Sequence, residues 1–179
     1  REELGEGAVA AQLYERVLAE APRGYYGILA AGRAKEAPPR TGPAPLELPG
    51  DPAQALAHDP DYARIETLRR LGLSEYALAE MEDLALRALA EPVKLYWLSA
   101  AYRQQARYDL SLRILRRSFG EVTASGHSAL PRSFWETAYP IGWQAELAEA
   151  ATRSGLDPFL VAAVVREESS FYPLARSSA

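Results

Sequence analysis

Gly155-Leu-Asp-Pro-Phe-Leu-Val-Ala-Ala-Val-Val-Arg-Glu-Glu-Ser-Ser-Phe171 is the stretch from which the rest of this chain is read. Asp157 ahead of Pro158 marks a helix start: the aspartate can accept from an unpaired N–H of the first turn, and Pro at the first helical position gives up a donor that had no partner. At about 100° per residue, with Val161 as zero, Val164 falls at about −60°, Val165 at about +40° and Glu168 at about −20°. The spacing predicts that Glu168 points inward from an apolar stripe, with Glu167 about 100° away and Arg166 nearly opposite. An inward carboxyl at a helix end has two reasons to keep its proton, desolvation and the negative end of the helix dipole. Such a group suits a general acid that protonates the leaving oxygen of a glycosidic bond. Glu-Ser is also an ordinary helix ending, so spacing alone leaves both readings open.

The surrounding residues extend the pattern. Tyr139-Pro140, a helix, Ser154-Gly155-Leu156-Asp157-Pro158, then Val165-Arg166-Glu167-Glu168-Ser169-Ser170-Phe171-Tyr172-Pro173 with Ala175 and Ser177-Ser178-Ala179 follow in order. Together they resemble the opening of the catalytic domain of soluble lytic murein transglycosylases. In that family the acid is the Glu before Ser in an Arg-Gln-Glu-Ser-x-Phe pattern, which is Glu168 here, with Glu167 where Gln is usual. Upstream, the order helix, Pro-Arg-Gly turn and Tyr25-Tyr26-Gly27-Ile28-Leu29-Ala30-Ala31 is similar to a segment of the superhelical region that precedes this domain. Read without the resemblance, that Tyr-rich helix is a packing element.

The resemblance implies a peptidoglycan lytic transglycosylase. Most glycosidases use two carboxylates. Here one Glu protonates the leaving sugar oxygen and then acts as base on the 6-hydroxyl of the same N-acetylmuramic acid, giving a 1,6-anhydro product. Ser169 is expected to contact Glu168 or the substrate, with a helix-capping role as its ordinary alternative; Phe171 reads as core. No cofactor or metal is implied. The partner is the glycan strand of peptidoglycan, and the compartment the periplasm or outer envelope. The chain stops at Ala179, one step before the family's Gly-Leu-Met-Gln segment and its later cleft Tyr and Asn. Both ends therefore read as cut, and the polypeptide alone is expected not to lyse peptidoglycan.

Composition narrows the other classes. The 179 residues contain no Cys, which removes disulfides, thiolate nucleophiles and Cys-based zinc sites. His58 and His127, far apart and in loop-like surroundings, speak against a metal site or a Ser-His-Asp triad. A net charge of −4 argues against a nucleic-acid partner, which would call for surplus Lys and Arg. Arg69-Arg70 and Arg113 with Arg116-Arg117 read as solvated helix faces. No apolar run approaches the ~18 residues of a membrane span.

Helices are expected over 8–20, with Val9, Leu13 and Val17 as inner face, and over 25–33. Seven prolines, Pro38 to Pro60, make 38–60 an extended connection that could drape over the helices through Leu46 and Leu48. Helices resume at about 61–71, 74–88, 92–105 and 108–118, with Gly72 as a C-terminal cap, Ser74 as an N-cap and Pro92 at a first helical position. A shift of 34 positions lays Gly72 on Ala106, Leu68 on Tyr102, Leu78 on Leu112 and Met81 on Leu115, the period of a tetratricopeptide-like helix pair. Gly120 to Gly126 reads as a break. A short helix from Pro131 to Ala138 and one from Trp143 to Arg153, with Leu147, Ala150 and Ala151 inward, lead to the Glu168 helix. The expected fold is all-α: a helical solenoid over 1–130, then over 131–179 the truncated start of a lysozyme-like α domain. Two other functions fit the same pattern, a tetratricopeptide-like protein-binding adaptor and a goose-type-lysozyme-like hydrolase.

Overall fold

The computed structural model describes residues 5–20, 22, 24–34, 46–125 and 129–176. Among them the chain is all-helical: α1 (Gly7–Glu20), α2 (Tyr25–Ala31), α3 (Pro52–Ala55), α4 (Pro60–Arg70), α5 (Ser74–Arg87), α6 (Pro92–Gln104), α7 (Tyr108–Ser125), α8 (Arg132–Ala138), α9 (Gln144–Ser154) and α10 (Pro158–Ser169). The chain divides into two compact units, one formed by Arg1–Glu47 with Phe119–Leu130 and the other by Leu48–Ser118 with Pro131–Ala179. The chain passes from one unit to the other between Leu130 and Pro131, and residues 131–179 group with 48–118.

Helix starts follow local chemistry. Pro stands in the first turn of α3, α4, α6 and α10, and Asp51, Asp59 and Asp157 cap with their side chains. Three sequence expectations are corrected. Ser74 does not cap α5 but is its first residue, after Leu73, which makes no side-chain cap bond. The proline-rich connection contains α3, because Asp51-Pro52 supplies a cap and a first position together; Leu46 and Leu48 are half-buried, and residues 38–45 lie outside the described ones. Finally, α7 continues through Gly120 to Ser125 where a break was expected. A helical glycine costs only about 1 kcal/mol against Ala; Thr123 Oγ1 donates to Gly120 O at 2.9 Å within this turn. His58 is exposed, while Gly126 and His127 lie outside the described residues.

In the first unit α1 packs on α2. The packed face differs from the expected one: Ala10, Gly27 and Ala30 are buried, while Val9, Leu13, Tyr25 and Tyr26 are exposed. Small residues one turn apart let the helix backbones approach, and that outweighs the larger side chains. Tyr25 and Tyr26 meet each other edge to face instead, with centroids 5.2 Å apart.

The second unit is built around α6, whose Leu95, Tyr96, Trp97, Leu98, Ala101 and Tyr102 are all buried. A helix apolar on every side belongs in an interior, and α6 packs on α3, α5 and α8. Tyr96 Oη donates to Ser133 Oγ at 2.8 Å, Ser133 Oγ donates to Gly50 O at 2.7 Å, and Tyr96 meets Phe134 edge to face. These contacts join α8 to α6 and explain why 131–138 groups with 48–118.

The 34-residue shift matches backbone geometry. Gly72 and Ala106 both take left-handed φ, +72° and +56°. The bond Leu73 N–H to Leu68 O (3.0 Å) recurs as Arg107 N–H to Tyr102 O (2.9 Å), and Gly72 to Arg69 (3.1 Å) recurs as Ala106 to Arg103 (3.0 Å). The buried Met81 likewise corresponds to the buried Leu115, and Ala77 to Ser111. Ser111 Oγ is buried without a hydrogen-bond partner among the described residues.

Charges clasp the helix ends of this unit. Lys94 Nζ lies 3.1 Å from Asp59, 2.9 Å from Asp61 and 2.9 Å from Glu91, and Arg87 donates to Asp61 at 3.0 Å. Arg87 and then Lys94 hold the Asp61 carboxyl below its usual range. A group lowered in the folded state contributes stability above its ordinary value, and loses it as pH falls through the folded one. The destabilisation caused by Asp61→Asn should therefore be largest near neutrality and shrink below pH about 4, read as urea midpoints of both proteins across pH.

Candidate functional site

α9 and α10 pack on each other across a glycine turn. Gly155 takes φ +64°, and Leu156 N–H donates to Ala151 O at 3.0 Å, a C-terminal motif that places a left-handed residue after the helix. Ala151 is buried, Leu147 and Ala150 are half-buried, and these form the inner face expected for α9. Asp157 accepts from Phe159 N–H at 2.8 Å and starts α10 as expected.

The buried face of α10 is not the one its wheel selects. Ala162 is buried, Val161, Val165, Arg166 and Ser169 are half-buried, and Val164, Glu167 and Glu168 are exposed. The packed arc is therefore centred near Ala162, about 120° from Glu168. The inward Glu168 of the sequence reading is corrected: its side chain faces solvent and has no hydrogen-bond or ion-pair partner among the described residues. The apolar arc from Phe159 to Val165 is wider than the single face that α9 covers, and the small Ala162 gives the closest approach. Arg166, expected opposite, is drawn in because its guanidinium donates to Ala138 O at 3.1 and 3.3 Å and lies 4.8 Å over the Tyr139 ring.

The end of α10 is tightly held. Ser169 Oγ donates to Val165 O at 2.9 Å, and no hydrogen bond joins Ser169 to Glu168. Ser170 and Phe171 are both left-handed, φ +52° and +59°. Phe171, 2% exposed, is core as expected; it packs on Tyr108, and its carbonyl accepts from Trp143 Nε1 at 3.3 Å. Arg116 of α7 donates to Ser170 Oγ and to Arg166 O, both at 3.0 Å, and so joins Ser170 N–H as a second donor to the Arg166 carbonyl. Arg116 also reaches Glu167 at 3.4 Å, and Glu167 pairs with Arg166 as well. The two acids are inequivalent, though not through the inward turn expected of Glu168: arginines hold Glu167, and Glu168 meets no partner among the described residues. Sequence reading missed Arg116, which it took as part of a solvated face; about fifty residues separate it from the helix it pins, and no local pattern links them.

Gly142 is the tightest point. A Cβ there would lie 2.9 Å from Tyr108 Cε2 and 3.0 Å from two ring atoms of Phe171. Gly142→Ala is expected to cost about 1–3 kcal/mol through overpacking, read as a lowered urea midpoint with unchanged slope. Beside it a small apolar cleft of about 260 Å³ is lined by Trp143, Glu146, Val165, Ser169, Phe171, Tyr172 and Pro173. Ser169 reaches this cleft, and Glu168 is not among its walls.

Among the described residues no group of three or more His, Asp or Glu is placed to hold a metal ion, and no helix is long and apolar enough to cross a membrane. Among the described residues, fold and site define an all-helical protein with an unpartnered carboxylate on the last turn of a capped helix. Comparison with protein-family models, with curated proteins and with solved structures finds no match.

Proposed function

We propose that this chain carries the opening of a lytic murein transglycosylase catalytic domain, preceded by solenoid-type helices, and that Glu168 is its acid and base. The observation that carries this reading is the meeting of the resembling segments: Ala138 and Tyr139 engage Arg166, Trp143 bonds to Phe171, and Gly155-Leu-Asp-Pro turns α9 into α10. Glu168 protonates the glycosidic oxygen as the bond from the N-acetylmuramic acid C1 to that oxygen breaks. Its carboxylate then takes the proton of the 6-hydroxyl as O6 bonds to C1, so no water is consumed. Because Glu168 is exposed, the bound glycan itself, not the fold, removes water from it. Ser169 lies beside it as a substrate contact, in the periplasm or outer envelope where peptidoglycan is found.

The test is product analysis of digested peptidoglycan, using the chain extended through the Gly-Leu-Met-Gln segment that the resemblance expects. Anhydro-muropeptides support the reading. Reducing ends in their place assign a goose-type-lysozyme-like hydrolase, and no released product removes the enzyme altogether.

A second reading is a tetratricopeptide-like binding module. The turn geometry that recurs at 72 and 106 favours it. Glu168 would then have no catalytic part.

A further inference from the structure

A second cleft lies between α5 and α7, over α6, and Glu168 is not among its walls. Its volume is about 460 Å³, within the range of small-ligand and peptide-residue sites. Three features set it apart from an ordinary surface dent. Tyr102 lines it, and although this side chain is 1% exposed, its hydroxyl makes no hydrogen bond with any described residue. Ser111 Oγ, not this hydroxyl, is the buried polar atom left without a partner among the described residues; the phenol therefore reaches solvent in the cleft, where it can donate to a bound acceptor. Burial pushes it up to about 12, with Glu82 and Arg113 within electrostatic reach, and it therefore keeps its proton at neutral pH. Next, Arg113 and Arg117 line the same cleft and meet no carboxylate among the described residues, whereas Arg116 between them is taken up by α10. Last, Leu86 and Leu89 stand 68% and 50% exposed at its edge.

We propose that this cleft binds an acidic peptide segment carrying an aliphatic side chain: a carboxylate on Arg113 and Arg117, an oxygen accepting from Tyr102, and the aliphatic group on Leu86 and Leu89. Charge complementarity selects the partner. Among the described residues two unpaired cations face one unpaired anion, Glu82, so a carboxylate-bearing segment is favoured and a basic one is repelled.

The experiment is selection of phage-displayed random twelve-residue peptides on the whole chain, followed by fluorescence anisotropy with the fluorescein-labelled winner. Recovered peptides should combine Asp or Glu with Leu-like residues and bind more weakly as salt is raised. Arg113→Glu with Arg117→Glu should weaken binding about tenfold or more, and Tyr102→Phe about threefold. Arg132→Glu on α8 should change nothing. Should the double charge reversal fail to fold by circular dichroism, Arg113→Gln with Arg117→Gln takes its place. An empty selection, winners without acidic residues, or equal binding by the arginine variants would each overturn the assignment. The assay contains no peptidoglycan, so its outcome is separate from that of the Glu168 reading.

Discussion

In the chain extended through the Gly-Leu-Met-Gln segment, Glu168→Gln is expected to cut the release of anhydro-muropeptides by about 10²- to 10⁴-fold, the usual contribution of a positioned acid and base, while leaving thermal unfolding unchanged. Gln keeps the shape of Glu but cannot deliver the acid proton or accept one from the 6-hydroxyl. The fold should not notice, because Glu168 is exposed and bonds to nothing that is described. Glu167→Gln supplies the contrast. Glu167 sits against Arg166 and Arg116, so its loss should alter stability by no more than about 1 kcal/mol and leave turnover within a few-fold. Equal losses of turnover in the two variants would remove the assignment to Glu168.

Phe171 should give the largest change in stability. Phe171→Ala is expected to cost about 3–5 kcal/mol, since the ring is buried on Tyr108 and closes the space around Gly142. Its backbone is left-handed, φ +59°, directly after Ser170 at +52°. An Ala there keeps the strain of that conformation, about 1–2 kcal/mol, and Gly does not. Phe171→Gly should therefore be at least as stable as Phe171→Ala, the reverse of the order found at ordinary positions. Urea unfolding of the three proteins measures both effects, and a Gly variant clearly weaker than the Ala variant would show that the backbone there is not held as described.

Local structure was largely legible. Asp157-Pro158, Pro92 and Gly72 act through neighbours in the chain, and each marks a helix end where the sequence placed it. The 34-residue spacing, weak as a sequence match, reappears in turn hydrogen bonds because both turns solve the same local problem of ending one helix and starting another. The inward faces of α1 and α10 were not legible. In each, apolar residues cover more of the helix than a partner can, and the small Ala10 or Ala162 that permits close approach decided the face. At Tyr25 and Tyr26, aromatic character suggested packing, yet Gly27 and Ala30 form the contact.

The sequence by itself determined that this chain is helical and where most of its helices begin, since propensity and capping reach only a few residues along the chain. Only the tertiary structure decided that Glu168 faces water, that Arg116 pins the end of its helix, and that Tyr102 opens into a cleft beside two arginines that meet no carboxylate among the described residues. Those outcomes depend on which of several apolar surfaces pack first and closest, a competition between distant segments that no local pattern encodes.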